Sequence, residues 1–344
     1  MKNIKTIIFT LILLLGGLLL TGCGKLNDKQ IRKDFLKQVK DLKSYYMEGN
    51  LELTNNDDTY HYDVKVSYKN EDYYKVILTN KNNNYEQTIL RNKDGVYVVT
   101  PSLNKSFKFQ SDWPYNNSQS YLLQSIANDL EKDNTYKFEQ KNKDYQFTTK
   151  VNYPNNPNYT KQTILLDKNG TLKKVEVSDD KDIVYIRFEV TNLDKKSVFD
   201  DKHFELEETS NNIVEDPKEE KPNDEQPSMS IDDSVFPLYL PTNTTLSSKE
   251  VIDTTAGQRI IMTFAGDNPF IFVQETIAKE KELTVVPTYG EPHLLIDTVG
   301  SLTDISYTWA SNGIEYYIVS DVMNKQELLE VAKSINVVAT IGEK

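Results

Sequence analysis

From Thr59 to Tyr68 every second residue is apolar or aromatic. Tyr60, Tyr62, Val64, Val66 and Tyr68 point one way, and Thr59, His61, Asp63, Lys65 and Ser67 the other. A period of two marks a strand buried on one face and is incompatible with a helical stripe, whose period is 3.6. The alternation sets in after Tyr46 and governs most of the first 206 residues. Further strands are predicted at Tyr73–Thr79, Tyr85–Arg91, Val96–Thr100, Ser106–Phe109, Tyr136–Glu139, Tyr145–Val151, Thr163–Asp167, Leu172–Val177 and Ile183–Val190. Turns such as Asp167-Lys-Asn-Gly170 and Asp179-Asp-Lys-Asp182 join the last three into a meander.

Two segments break the alternation. Ile31, Phe35, Val39 and Leu42 recur at helical spacing behind a cap at Asn27 or Asp28, and Leu122, Leu123, Ile126 and Leu130 share one face of a helix predicted over Ser118–Lys132. About ten antiparallel strands in one flat sheet would curl or split, so the sheet is expected to bend around those two helices. The longest stripe, Tyr60, Tyr62, Val64, Val66 and Tyr68, is the candidate lining of the concave face.

Between Glu207 and Asp233 almost nothing is apolar, and Pro217, Pro222 and Pro227 stand among Glu, Asp, Lys, Asn and Ser. Such a stretch buries too little surface to offset its ordering entropy, which predicts an acidic interdomain linker over 207–233. A second unit follows over 234–344. It carries predicted strands at Glu250–Thr254, Arg259–Phe264, Phe270–Glu275, Leu283–Val286 and Leu294–Asp297, and a hairpin of Ile305–Trp309 with Ile314–Val319 across Asn312-Gly313. A helix over Lys325–Ile335 is capped by Asn324, with Glu327 completing a capping box. The fold class is therefore α+β in both units: a curved antiparallel sheet with two packed helices over 23–206, then a smaller α+β domain.

The N-terminus adds an address. Met1, Lys2 and Lys5 precede an apolar run from Ile7 to Leu20, shorter than the roughly 18–20 residues a spanning helix needs. The run closes on Leu20-Thr21-Gly22-Cys23, a lipobox, and Cys23 is the only cysteine of the chain. Residues 1–22 are expected to be a lipoprotein signal peptide cleaved between Gly22 and Cys23. The Cys23 thiolate then takes a diacylglyceryl group that anchors the chain to the outer face of the cell membrane. The anchor lies within one or two nanometres of the first helix. Cleavage removes two lysines and no acid, so the net charge passes from −12 to −14. An anionic surface repels a chain of that charge, leaving the lipid as the membrane partner and nucleic acid as no partner.

Chemistry of catalysis is sparse. With Cys23 acylated, no disulfide, thiol nucleophile or cysteine-based metal site is available. His61, His203 and His293 are the only histidines and form no H-x-x-x-H or H-E-x-x-H pattern; His61 lies on the polar face of its strand. There is no G-x-S-x-G and no glycine-rich phosphate loop. No catalytic residue, metal ligand or cofactor is assigned. Binding remains, and 21 tyrosines against 2 tryptophans suit either a concave sheet face or a protein interface.

The first unit resembles the LolA superfamily of lipoprotein carriers. The marks are a helix before Tyr46-Met47-Glu48-Gly49, then Ile89-Leu90-Arg91-Asn92-Lys93-Asp94-Gly95-Val96-Tyr97, a later helix, Thr163–Asp167 followed by Leu172–Val177, and Phe188 and Phe199 in the closing part. The second unit is similar to a C-terminal module of spore-former lipoproteins, through Phe236–Pro241, Phe272-Val273-Gln274-Glu275, Trp309, Gly313-Ile314, Tyr316 and Glu327-Leu328-Leu329. The layout of both units resembles YdcC-type sporulation lipoproteins of Gram-positive spore formers, and RseB. The resemblance implies a LolA-like half-barrel. A smaller relative, the germination lipoprotein GerS, implies support of a peptidoglycan amidase, although that relative lacks the second unit.

Two functions follow as expectations. In the first, a non-catalytic lipoprotein binds an envelope protein partner in sporulation or germination, a peptidoglycan-processing enzyme being one such class. In the second, the concave face carries or senses a lipid or acyl chain. A permanent anchor at Cys23 disfavours a diffusing carrier.

Overall fold

The computed structural model describes residues 27–55, 58–206, 231, 235–280, 282–295, 298–311 and 313–335. The N-terminal stretch read as a signal peptide, with Gly22 and Cys23, and the 207–233 stretch except Ile231, lie outside them. Ile231 belongs with the second unit: it is buried in that core, and its N–H donates to Gln258 Oε1 at 3.1 Å.

Helix α1 spans Asp28–Asp41, capped by Asn27, whose side chain accepts from the Gln30 N–H. Eleven strands follow: β1 Ser44–Asn55, β2 Asp58–Lys69, β3 Tyr73–Asn80, β4 Glu86–Asn92, β5 Gly95–Thr100, β6 Lys105–Phe109, β7 Lys137–Lys141, β8 Asp144–Lys150, β9 Lys161–Leu166, β10 Leu172–Ser178 and β11 Val184–Asp194. Helix α2, Leu123–Lys132, interrupts them between β6 and β7. It starts five residues later than its apolar face predicts. Ser118 is committed elsewhere: its N–H donates to the Asn152 carbonyl and its hydroxyl accepts from the Asn152 N–H, both at 2.8 Å.

β1 is a strand beyond the ten expected, and it is central. It pairs with β2 from Ser44↔Lys69 to Asn55↔Asp58, and with β11 on its other side. Its inward series Tyr45, Met47, Leu51 is broken by Gly49, which obscures the alternation. The glycine is there for contact: a Cβ at 49 would come within 2.5 Å of the Phe188 ring. One face of the sheet is filled. Phe35 and Val39 of α1, with Leu123, Ile126 and Leu130 of α2, form a single buried cluster with Met47, Leu51, Val64, Val66, Phe147 and Phe188.

The second unit comprises β12 Thr244–Thr254, β13 Gly257–Gly266, β14 Phe270–Thr276, β15 Thr284–Thr288, β16 Glu291–Leu294, β17 Val299–Leu302, β18 Ser306–Ser311, β19 Ile314–Val319 and helix α3, Lys325–Lys333. The expected strand at Leu294–Asp297 is replaced by β16 and β17, which pair antiparallel. The capping box at Asn324 and Glu327 forms as read. Leu328, Leu329, Val331 and Ala332 of α3 cover a stack in which Trp309 lies 5.1 Å from Tyr316 and 5.3 Å from Tyr307. The protein is thus mostly β with two sheets, an α+β fold.

The two sheets do not divide at the linker. The second runs β12-β13-β14-β19-β18-β17-β16, and the first runs β15-β6-β5-β4-β3-β2-β1-β11-β10-β9-β8-β7. Its first member, β15, comes from the C-terminal unit and pairs parallel to β6, from Thr284↔Lys105 to Thr288↔Phe109. Both proline-bearing strands of the unit, β15 with Pro287 and β16 with Pro292, stand at sheet ends, where a missing N–H costs least. A shared sheet makes a specific expectation for limited proteolysis between 207 and 233: the two fragments stay together as one particle in size-exclusion chromatography and separate only in denaturant. Fragments that part under native conditions would show the β6–β15 junction to be marginal.

Candidate functional site

At the meeting of the two units lies a cavity of about 250 Å³. β2 contributes Tyr60, the connection from β8 to β9 contributes Tyr153 and Tyr159, β11 contributes Tyr185, β16 contributes His293, and α3 contributes Lys333. The tyrosines form an aromatic wall. Tyr159 meets Tyr153 edge-on at 5.3 Å and lies against Tyr185 at 5.3 Å. Burial pushes the Tyr159 phenol up to about 12 and Tyr153 well above its ordinary value, so both stay protonated. Lys333 Nζ donates to Asn156 Oδ1 at 3.1 Å and pairs with Glu330 at 3.4 Å, tying α3 to the first unit.

His293 is the titratable group with the largest consequence for chemistry here. Burial, with Lys333 nearby, lowers its pKa to about 3. Such an imidazole is neutral at pH 7 and too weak a base to be matched to proton transfer there. His61 is exposed, 3.7 Å from Glu52, and His203 stacks on Phe199 at 4.6 Å. Among the described residues no group of three or more His, Cys, Asp or Glu could hold a metal ion. No helix among them is long and apolar enough to cross a membrane.

The residues singled out from sequence do not share one surface. Tyr62, Val64, Val66 and Tyr68 are 7% exposed or less and belong to the core under α1 and α2, whereas Tyr60 is half-buried on the cavity wall. Gly22 and Cys23 lie outside the described residues. The cavity residues Tyr153, Tyr159, Tyr185, His293 and Lys333 come from four separate elements, and no spacing in the sequence links them. A local signal for the second feature, an exposed edge, was partly present.

That edge is β12, at the end of the second sheet. The sequence marks only Glu250–Thr254 as strand, but pairing with β13 extends from Thr244↔Gly266 to Thr254↔Gly257. Every residue from Thr245 to Asp253 is exposed. Leu246, Val251 and Ile252 are 41%, 56% and 42% exposed, and Lys249 Nζ sits 5.3 Å above the Phe236 ring, which is itself exposed. An eleven-residue edge with apolar side chains in water can accept an added strand, and the bulge between Leu246 and Ser248 and the charged Lys249, Glu250 and Asp253 restrain self-pairing.

No family model matches the chain. Among solved structures, the Pseudomonas aeruginosa MucA/MucB complex is similar at 13% identity and a TM-score of 0.30, covering 89% of this chain and 98% of that one. A LolA superfamily protein of Nitrosomonas europaea aligns at 11% identity and 0.30, over 51% of this chain and 98% of that one. The Clostridioides difficile CwlD amidase complex with the GerS lipoprotein aligns at 17% and 0.21, over 49% and 95%. In sequence, the sporulation protein YdcC of Bacillus subtilis is 34% identical over 338 residues, which cover 97% of this chain and 98% of the relative. With a third of its residues identical across nearly the full length of both proteins, the chain belongs to the YdcC family of sporulation proteins.

Proposed function

We propose that this protein is a non-catalytic lipoprotein, held by acylated Cys23 on the outer face of the cell membrane, that binds a protein partner during sporulation or germination. The observation that carries the reading is the β12 edge, whose backbone rim and exposed Leu246, Val251 and Ile252 offer a surface for strand addition. The class of partner implied by the sequence resemblance is an envelope enzyme that processes peptidoglycan. Carriage of an acyl chain has less support, because α1 and α2 cover Tyr62, Val64 and Val66 at the centre of the sheet face that a lipid would occupy.

Three measurements test this. A photo-crosslinking residue at position 251, introduced in sporulating cells, is expected to give a discrete protein adduct. Leu246→Asp with Val251→Asp should weaken capture of that protein at least about tenfold, since each removes an apolar anchor and brings a charge to the seam. Native mass spectrometry of the delipidated chain should give the mass of the polypeptide alone. Stoichiometric lipid, with no adduct at 251, would replace the partner reading by the carrier or sensor one.

A further inference from the structure

Helix α1 carries a stripe of charge that contradicts the sign of the whole chain. Lys29, Lys33, Lys37 and Lys40 are spaced by four, four and three residues, which puts them on one helix face. All four are exposed, and among the described residues none of them makes an ion pair within 4.0 Å. The stripe is held rigid by the neighbouring Arg32. Its guanidinium donates to the Leu130 and Glu131 carbonyls at 2.8 Å and lies 4.9 Å over the Tyr136 ring, locking α1 to the end of α2.

The four lysines rim a cleft of about 1070 Å³ between α1, α2 and β7, floored by Leu36, Val39, Tyr68, Ala127 and Phe138. Two acids reach the same cleft, Asp28 and Glu131, and the Asp28 carboxylate already accepts the Tyr136 hydroxyl at 2.8 Å. The local balance is therefore positive in a chain of net charge −12. Asp34 and Asp41 stand beside the stripe on the same helix, so α1 carries five basic and three acidic side chains, a net of +2. At physiological salt a charge is felt over about 8 Å, so this local balance, not the acids on other elements, sets the potential a nearby surface meets. Position matters as much as sign. α1 begins five residues after Cys23, a reach of at most about 18 Å for an extended chain.

We infer that this lysine-rimmed face of α1 docks on an anionic phospholipid bilayer and orients the two sheets relative to the membrane. The orientation rests on the anchoring at Cys23 proposed above; the affinity of the stripe for the bilayer does not. The diacylglyceryl group at Cys23 brings two acyl chains, enough for stable attachment by themselves, so the lysine face sets orientation rather than retention. The apolar floor beneath the rim suits the boundary between headgroups and acyl chains. The net repulsion expected from the sequence is thereby reversed at one face.

The test uses the chain from Gly24 onward, which retains every described residue and lacks the lipid site. In co-sedimentation it is expected to bind vesicles of phosphatidylglycerol with phosphatidylcholine and to ignore vesicles of phosphatidylcholine alone. Replacing Lys29, Lys33, Lys37 and Lys40 by Gln should lower the partition coefficient by up to about a thousandfold. The same change at Lys65, Lys168, Lys181 and Lys202, which are exposed on other elements, should leave it unaltered. A salt titration of the unmodified chain reads the electrostatic share without any substitution, and binding should vanish near 0.5 M salt (about 4 Å screening). No binding to anionic vesicles, equal binding to neutral ones, or equal loss in both quadruple variants would overturn the inference. Labelling of Cys23 by palmitate is an independent readout, so failure of the anchor and failure of the docking face are distinguishable.

Discussion

Replacing Gln87 by Ala is expected to cost about 3–4 kcal/mol of stability and to loosen the two units from each other. Gln87 stands on β4 at 4% exposure, and its side-chain amide imitates a neighbouring strand. Its Oε1 accepts from the Val299 N–H at 2.6 Å, and its Nε2 donates to the Val299 carbonyl at 3.3 Å and to Thr100 Oγ1 at 3.2 Å. The Thr298 hydroxyl also reaches Oε1 at 3.1 Å but has a second acceptor in the Ala310 carbonyl at 3.0 Å, so it survives the loss. Val299 does not. Its buried N–H is left without a partner, which alone costs about 1–3 kcal/mol, and the vacated volume adds to it. Gln87→Glu is the sharper control. It preserves shape and the acceptor for Val299 N–H, but removes both donors and brings a charge to a side chain that is 4% exposed. Urea titration should show both variants destabilised, with the nicked forms separating into fragments. A loss below about 1 kcal/mol in both would mean that β15 on β6, with ties such as Lys333 to Asn156, holds the units together without Gln87.

Asp129→Asn is expected to stabilise the protein at pH 7.5 and to make no difference near pH 4. Asp129 lies on α2, 8% exposed, and burial raises its carboxyl to about 6 despite hydrogen bonds from Ser118 and Gln162 and the proximity of Lys132. In the unfolded chain the same group titrates near 3.9. Between about pH 4 and 6 the native state therefore holds the extra proton, and stability falls as pH rises through that window, then stays level. The span of about two pH units corresponds to about 3 kcal/mol. Asn removes the charge and offers a donor. Gln162 gives its Nε2–H to Asp129 Oδ2 at 3.1 Å, but its buried Oε1 has no hydrogen-bond partner, which an amide at 129 can supply. Other groups add slopes of the opposite sign. His293, lowered to about 3, contributes stability above about pH 6.5 that is lost as pH falls toward 3. The informative quantity is thus the difference between variant and parent at each pH. A difference that is the same at pH 4 and pH 7.5 would show that the Asp129 carboxyl titrates normally.

These two sites illustrate what a local reading reaches. The acidic buried residue sits on a helix whose apolar face is visible in Leu123, Ile126 and Leu130, yet nothing in that spacing shows that Asp129 turns toward Gln162 on β9. Gln87 reads as one more polar residue in an alternating run, and its role exists only because Val299, 212 residues later, is brought beside it.

Period and capping are properties of a few consecutive residues. The chain alone therefore determined that β2 is a half-buried strand, that α1 and α2 each present one apolar face, and that Asn324 and Glu327 start α3. It also determined the YdcC family membership, through identity spread over the whole length. Which strand lies beside which was decided by tertiary structure. An alternating run specifies the side that faces the core but leaves both edges free, and a backbone edge accepts any strand whose register suits it. Hence β1, masked by Gly49, becomes the centre of the first sheet, and β15 leaves the other strands of its unit to close the edge at β6. The same physics buries the centre of the β2 stripe, Tyr62, Val64 and Val66, under two helices while its ends, Tyr60 and Tyr68, reach a cavity and a cleft, and it leaves β12 bare, because no described element covers it.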